Sequence, residues 1–521
     1  MKLKDLTEGD KEQIRQIYID SNLTWDEKTN KLKSFFNVTS ERSVRRNLVA
    51  LGFKEKAPEE SFEFMEAKKK RLDKSKNIYI ISWAQNNTPL HAPFLKNMEA
   101  YAKYHKASIH VIAGRYKNPT SVFQDKDEEV WAPELLEKGY LDAARHDIHP
   151  FLTLLGNIKT QPTAINPLEG FESFTGDKSC IVGHPKMHLK MVPVLESYVQ
   201  KMMVTTGACT KENYTDSKAG KRGEFNHTYG FVIVEIKNKE IFYIRQVTAD
   251  AKGNFNDLYF NVTDGKVKKN NKIASLVMGD IHVGDHDEKV IKSTLNVLCK
   301  KLQPGNIVMH DIFNGHSISH HELHDPFIQY ERDVTGTNSL KRELDEMLDW
   351  LEQFKGYNVV VVPSNHNDVV DKWLRSSDSK IMRASKNYLL FTEFSSLIMQ
   401  KKAPKGIIPY VINQRFPKIK CLGRDESFRI KGFELGVHGD IGASGSRGSM
   451  TQYRKLNTKT ITGHNHQPVR LDGALSVGTS TKLRVSYNKG QSAWLNSHVI
   501  IHEDGKAQHV NFIKGEFTTF K

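Results

Sequence analysis

Cysteine is scarce in this chain, with four among 521 residues. Cys180, Cys209, Cys299 and Cys421 lie far apart and form no CxxC pair, which excludes a disulfide framework or zinc ribbon and leaves reduced core thiols. No apolar run approaches the roughly 20 residues that a membrane helix needs. The opening Met1-Lys2-Leu3-Lys4-Asp5-Leu6 turns polar and acidic at once, unlike a secretory leader. Neither a Walker loop nor a GxGxxG fingerprint occurs, and internal repeats are absent. Positive charge, by contrast, is abundant: 76 Lys and Arg face 61 Asp and Glu, for a formal net charge of +15. Such an excess attracts polyanions and speeds encounters with them.

The length predicts two or three domains. Residues 1–56 read as a small helical, helix-turn-helix-like domain. One helix is expected over Lys11–Ser21. A second follows Thr24 as N-cap, with Leu32, Phe35 and Phe36 on its apolar face, and a third follows Thr39 or Ser40 and stops at Gly52. The third helix carries Arg42, Arg45 and Arg46 on the face opposite Val44, Leu48 and Leu51, the arrangement by which a second helix enters a DNA major groove. Residues 57–76 form a charged linker. Residues 77–271 alternate strands and helices as an α/β domain of unassigned role, within which Lys218-Ala219-Gly220-Lys221-Arg222-Gly223 reads as a flexible basic loop. Residues 272–521 are a further domain, with an insertion at about 376–431.

In that last domain, five strand-like apolar runs each end in metal-ligand residues. They deliver Gly279-Asp280-Ile281-His282, His310-Asp311-Ile312-Phe313-Asn314, Ser364-Asn365-His366, Val437-His438-Gly439-Asp440 and Gly463-His464-Asn465-His466. Alternate residues of an extended segment point the same way, so Asp280 and His282 can share one cation. The two oxygens of a carboxylate allow Asp311 to bridge two. In open α/β sheets, ligands gather at the carboxyl ends of strands, and every candidate obeys that rule. Arg447, in the glycine-rich stretch after His438, and His316, in the histidine-rich stretch after Asp311, are candidate substrate contacts.

The five motifs, in this order, resemble the calcineurin-like metallophosphoesterase superfamily, and within it the SbcD-like DNA nucleases. The resemblance implies a sandwich of sheets flanked by helices. It also implies a first cation held by Asp280, His282, Asp311 and His466, a second held by Asp311, Asn365, His438 and His464, and His366 as the catalytic histidine. Two positions depart from the pattern: His310 and Ser364 stand where the superfamily has glycine, and each is expected only to tighten a turn. Related nucleases often carry a histidine where this chain has Asn314, a role that either passes to His316, His320 or His321 nearby or is absent. The arrangement also resembles the pre-early DNA-degrading nucleases of T-five-like coliphages, which implies action on host DNA in the bacterial cytoplasm.

The cofactor expected is therefore a pair of divalent ions, manganese foremost, with iron, zinc and magnesium as alternatives. Such a pair, about 3.5–4 Å apart, clamps a phosphate and makes hydroxide available at neutral pH for attack on phosphorus. The expected activity is a hydrolase, a metal-dependent deoxyribonuclease. The expected partners are DNA and a second copy of the chain, with no membrane. The alternatives are a protein or small-molecule metallophosphatase and a DNA-binding regulator with a structural phosphoesterase domain.

Overall fold

The computed structural model describes residues 6–20, 22–53, 61–115, 130–270, 272–319, 322, 325–376, 386–485 and 488–520. They form two compact units, residues 1–61 and 62–521.

The first unit is three helices: Glu8–Ile19, Trp25–Phe36 and Glu41–Ala50. Capping boxes start the first two. In each, a threonine (Thr7, Thr24) accepts from the backbone of Asp10 or Glu27, whose carboxylate accepts in return. Ser40 Oγ accepts from Ser43 N at 3.2 Å and starts the third helix. Ile14, Leu32, Phe36, Val44 and Leu48 interlock as its core. Arg46 is exposed; the side chains of Arg42 and Arg45 lie outside the described residues.

The second unit is mixed α/β, with sheets flanked by helices. Three strands run parallel in a six-stranded sheet, Ser275–Val277, Ile307–Met309 and Val359–Val361. Their apolar residues alternate between two faces, as the period of an extended chain requires. Val277, Val308 and Val360 pack against Phe433, Leu435, Ile461 and Leu475 of a second sheet. Leu276, Ile307, Met309, Val359 and Val361 turn the other way, towards the helical residues Val290, Leu298, Leu344, Met347 and Ile412. Between the first two of these strands, the helix Glu288–Ser293 runs into a π-helical stretch, Thr294–Cys299, and ends with Lys300–Leu302.

The second sheet has ten strands and corrects the expected domain boundary between residues 271 and 272. Phe433–Glu434, Lys459–Thr462, Ala474–Ser476 and Val469–Leu471 continue directly into Leu189–Val192, Lys201–Thr205, Ser179–Val182, Leu152–Leu155 and Arg145–His149. Arg470 pairs with Leu189, and His188 Nε2 donates to Asp472 Oδ1 at 2.9 Å, so the two halves share one sheet. The five-stranded sheet around Ile78–Gln85 and Ser108–Gly114 packs on it, with Tyr79, Ile81 and Trp83 against Leu152, Ile181 and Val204. The expected basic loop at 218–223 is also corrected. It is the first part of a helix, Lys218–Asn226, capped by Ser217 Oγ on Gly220 N. Gly220 and Gly223 fit there because added Cβ atoms would meet the Thr215 backbone and the Tyr214 ring. Within the expected insertion a helix covers Tyr388–Met399, and residues 377–385 lie outside the described residues.

A buried triad ties this sheet to its neighbour. His110 Nδ1 bonds Asp142 Oδ2 at 2.6 Å, and His146 Nε2 bonds the same oxygen at 2.9 Å. Burial works against the Asp142 charge, but the two histidines outweigh it and hold its pKa down to about 2, from 3.8. A folded-state pKa below the unfolded one stabilises above the unfolded value and is lost as pH falls through the folded one. Asp142→Asn should therefore lower stability by about 2 kcal/mol near pH 6, and the gap should narrow towards pH 2–3. Urea unfolding of both proteins at the two pH values checks it; a gap constant with pH would contradict the assignment.

Candidate metal centre

The carboxyl ends of strands from both sheets of the sandwich converge on one buried cluster. Ser275–Val277 leads to Asp280 and His282, Ile307–Met309 to Asp311, Val359–Val361 to Asn365 and His366, Phe433–Glu434 to His438, and Lys459–Thr462 to His464 and His466. One ligand atom each from Asp280, His282, Asp311 and His466 lies within 4.8 Å of the others, the set expected for a first cation. Within it His466 Nε2 is 3.1 Å from Asp280 Oδ2 and 3.1 Å from His282 Nε2, and His282 Nε2 is 3.6 Å from Asp311 Oδ2. The residues expected at a second cation adjoin it. His438 Nε2 is 3.1 Å from Asp311 Oδ2, and His464 Nδ1 is 3.1 Å from Asn365 Oδ1.

The backbone is bent to reach this geometry. His282, Asp311, His464 and His466 have φ of 47°, 45°, 71° and 56°, the left-handed region that residues with a Cβ seldom enter. Each such residue costs on the order of 1 kcal/mol or more and persists where the surroundings over-determine it. The surroundings here are specific. Thr479 Oγ1 and Ser480 N donate to the Asp280 carbonyl at 3.0 and 2.7 Å, and Asp280 Oδ2 accepts from His464 N at 2.6 Å. Gly463 is required because a Cβ there would overlap Asp280 Oδ1.

The electrostatics fit cation binding. Burial pushes His282 down to about 3, with His366 adding to the effect, so its imidazole is neutral and has a lone pair to offer. Burial opposes the charge on Asp311, but His438 and His366 outweigh it and hold the carboxyl well below its usual range. The partner shift follows, with His438 pushed up to about 9 against its own burial by Asp311. Asp280 Oδ1, Asp311 Oδ1, His310 Nε2 and His438 Nε2 are buried without a hydrogen-bond partner, as are the second ring nitrogens, Nδ1, of His282 and His466. Buried polar atoms this concentrated are costly unless something else coordinates the cluster. The donor set, carboxylates and imidazoles with one amide, suits manganese, iron or zinc.

Part of this geometry went unread in the sequence. His310 does more than tighten a turn: it is buried, its Nδ1 is 3.3 Å from His438 Nδ1, and it groups with Asp280 and His438 as a third set of candidate ligands. Nothing in a His-Asp pair announces this, since the neighbours are distant in sequence. Ser364, by contrast, does shape its turn, with Oγ accepting from Asn367 N at 3.1 Å. His316 takes no place among the ligands. Its Nε2 donates to Asp285 Oδ2 at 2.9 Å, and Asn314 Nδ2 reaches the same oxygen at 2.8 Å. The Asn314 carbonyl accepts from His366 Nδ1 at 3.0 Å and so fixes that ring 4.4 Å, centre to centre, from His282. Arg447 is exposed on its loop; His320, His321 and His324 lie outside the described residues.

The chain is similar to a phage protein. It is 29% identical over 466 residues to Protein A1 of Escherichia phage T5, a match covering 84% of this chain and 82% of that protein. No protein-family model matches the chain. One solved structure aligns with 46% of this chain and 98% of its own length at 12% identity, and its TM-score of 0.25 is too low to inform the fold. Among the described residues no helix is long and apolar enough to cross a membrane.

Proposed function

We propose that this protein is a calcineurin-like, divalent-metal-dependent phosphodiesterase that cleaves DNA. The observation that carries the reading is the concentration of partnerless buried carboxylate and imidazole atoms at converging strand ends. Asp280, His282, Asp311 and His466 would hold one cation, and Asp311, Asn365, His438 and His464 a second, with His310 alongside. Bound divalent ions would neutralise phosphate charge and supply a nucleophile from water at neutral pH.

The chain's own residues do the rest. Asn314 holds the Nδ1 proton of His366 through its carbonyl, which leaves Nε2 to face the phosphate or the leaving oxygen. Asp285, gripped by His316, fixes the Asn314 side chain and hence that carbonyl. His282 packs edge-on against the His366 ring and limits its tilt. DNA is favoured over phosphoproteins by the formal charge of +15. The three-helix unit is the proposed duplex contact, through Arg42, Arg45 and Arg46, and Arg447 a proposed phosphate contact. Likeness to a phage protein supports action in an infected bacterial cytoplasm.

The deciding experiment offers linear and circular DNA and a phosphomonoester to the purified protein with manganese, magnesium, zinc or EDTA. DNA cleavage that needs a divalent ion supports the proposal. Intact DNA with every metal, alongside hydrolysis of the monoester, would replace it with a metallophosphatase. Removing the positioning group has a smaller effect: His316→Ala should lower kcat about 10- to 100-fold and shift its pH profile, while leaving metal affinity unchanged. A loss of metal affinity instead would place His316 among the ligands.

A further inference from the structure

A cavity of about 960 Å³ opens at the other end of the Lys459–Thr462 strand, where Lys459 begins it. The metal-centre residues follow Thr462, so the two sites are separated by on the order of 10–15 Å of extended chain. Seven lysines and arginines line the cavity against three carboxylates, Glu212, Asp250 and Asp472. Those carboxylates are already engaged: Glu212 by Tyr229, Asp250 by three bonds from Lys252 and Asn254, and Asp472 by His188.

Four of the seven cations are not matched. Among the described residues Arg222, Lys459, Arg470 and Lys506 have no carboxylate within 4 Å, whereas Lys431 pairs with Glu503 at 3.1 Å and Arg454 lies 3.7 Å from Asp472. Lys186, with a side chain 2% exposed, faces Asp472 at 3.9 Å, beyond hydrogen-bonding range. Arg470 keeps one bond, Nη2 to Thr248 Oγ1, while its Nε is buried with no partner. Burial pushes Arg470 down to about 10, and lowers Lys186 together with the nearby Arg222 and Arg454 charges. Like charges crowded into partial burial are costly in the absence of an anion. An aromatic ring completes the rim. Phe225 belongs to the same helix as Arg222 and is 87% exposed, a position that packing does not explain.

We propose that this cavity is a second phosphate-binding site, which takes a nucleotide with its phosphate on Lys186, Arg222 and Arg470 and its base against Phe225. Inorganic phosphate would leave most of the volume open, whereas pockets of about 300–1,000 Å³ suit ligands of nucleotide size. Cation-lined grooves with a stacking aromatic are the common means of holding one unit of a nucleic acid strand. The ligand is therefore a free mononucleotide or a nucleotide of a single strand, two sources of one chemistry. The site rests on its own residues and not on the metal-centre reading.

The test measures equilibrium binding of dAMP and of a single-stranded oligodeoxythymidylate to the full chain in EDTA, so that failure of cleavage and failure of binding stay distinguishable. Arg222→Glu should weaken binding about tenfold or more, and Phe225→Ala about fivefold or more. Both side chains are exposed, so neither change threatens the fold. Asp311→Ala should bind the probes as the unmodified protein does. Similar affinities for the two probes identify the mononucleotide; tighter, steeply salt-dependent binding of the oligonucleotide identifies the strand. Absence of binding by the unmodified protein overturns the proposal. So does binding that survives Arg222→Glu and Phe225→Ala but is lost in Asp311→Ala.

Discussion

Asp311→Ala should reduce metal-dependent phosphodiester cleavage about a thousandfold or more, because several kcal/mol of charge stabilisation depend on one carboxylate. Asp311 is the one side chain assigned to both cations. It lies 3.6 Å from His282 and 3.1 Å from His438, which belong to different sets. Its loss should also remove the rise in Tm that manganese gives the unmodified protein, since a ligand binding only the folded state stabilises by mass action. Steady-state kinetics and thermal unfolding with manganese or EDTA read both effects. Undiminished activity, or a preserved manganese-induced Tm rise, would remove Asp311 from the bridging position.

The second large effect comes from adding a single carbon. Gly463→Ala places a Cβ on Asp280 Oδ1 and 3.1 Å from both Cβ and Cγ of His310. All three neighbours are buried, so relief requires Asp280 to move, and its Oδ2 holds both His464 N and His466 Nε2. Overpacking of this kind costs about 1–3 kcal/mol of stability. Metal affinity should fall more than about 100-fold, beyond what loss of one supporting contact gives, because a ligand is displaced directly. Gly423→Ala is the comparison: the nearest atom to its Cβ is Lys405 Cγ at 4.0 Å, so stability and metal binding should stay the same. Isothermal titration with manganese separates the two variants. Equal affinities would show that the turn at Gly463 yields without disturbing Asp280.

Much of the candidate site was legible because each ligand follows its strand within a few residues. Asp280 and Asp311 come directly after apolar runs, and a ligand two positions after another on an extended segment needs no long-range information. His310 was not legible. Its relation to His438 depends on two strands from different sheets meeting face to face, 128 positions apart in the chain. The Asn314 carbonyl was hidden for another reason, since a backbone acceptor leaves no residue type to notice. The second helix was read at its Thr24 cap, whereas the first begins after its Thr7 cap, three residues before the expected start at Lys11. The Lys218–Asn226 helix was missed because its two glycines argue locally against a helix, and only the neighbouring Thr215 and Tyr214 explain them. The domain boundary at 271/272 failed similarly, because sequence order conveys nothing about which strands pair.

The shared ten-stranded sheet has a consequence for dissecting the molecule. A fragment beginning at residue 272 would keep the proposed ligands yet strip the Leu189–Val192 strand from its neighbour Val469–Leu471. That would expose an unprotected sheet edge only a few residues beyond His466, a surface prone to self-association. The upstream strands thus cover the sheet edge beside the segment that bears the proposed ligands. Minimal versions of the half that holds the candidate metal centre should then begin before Arg145, not after residue 271.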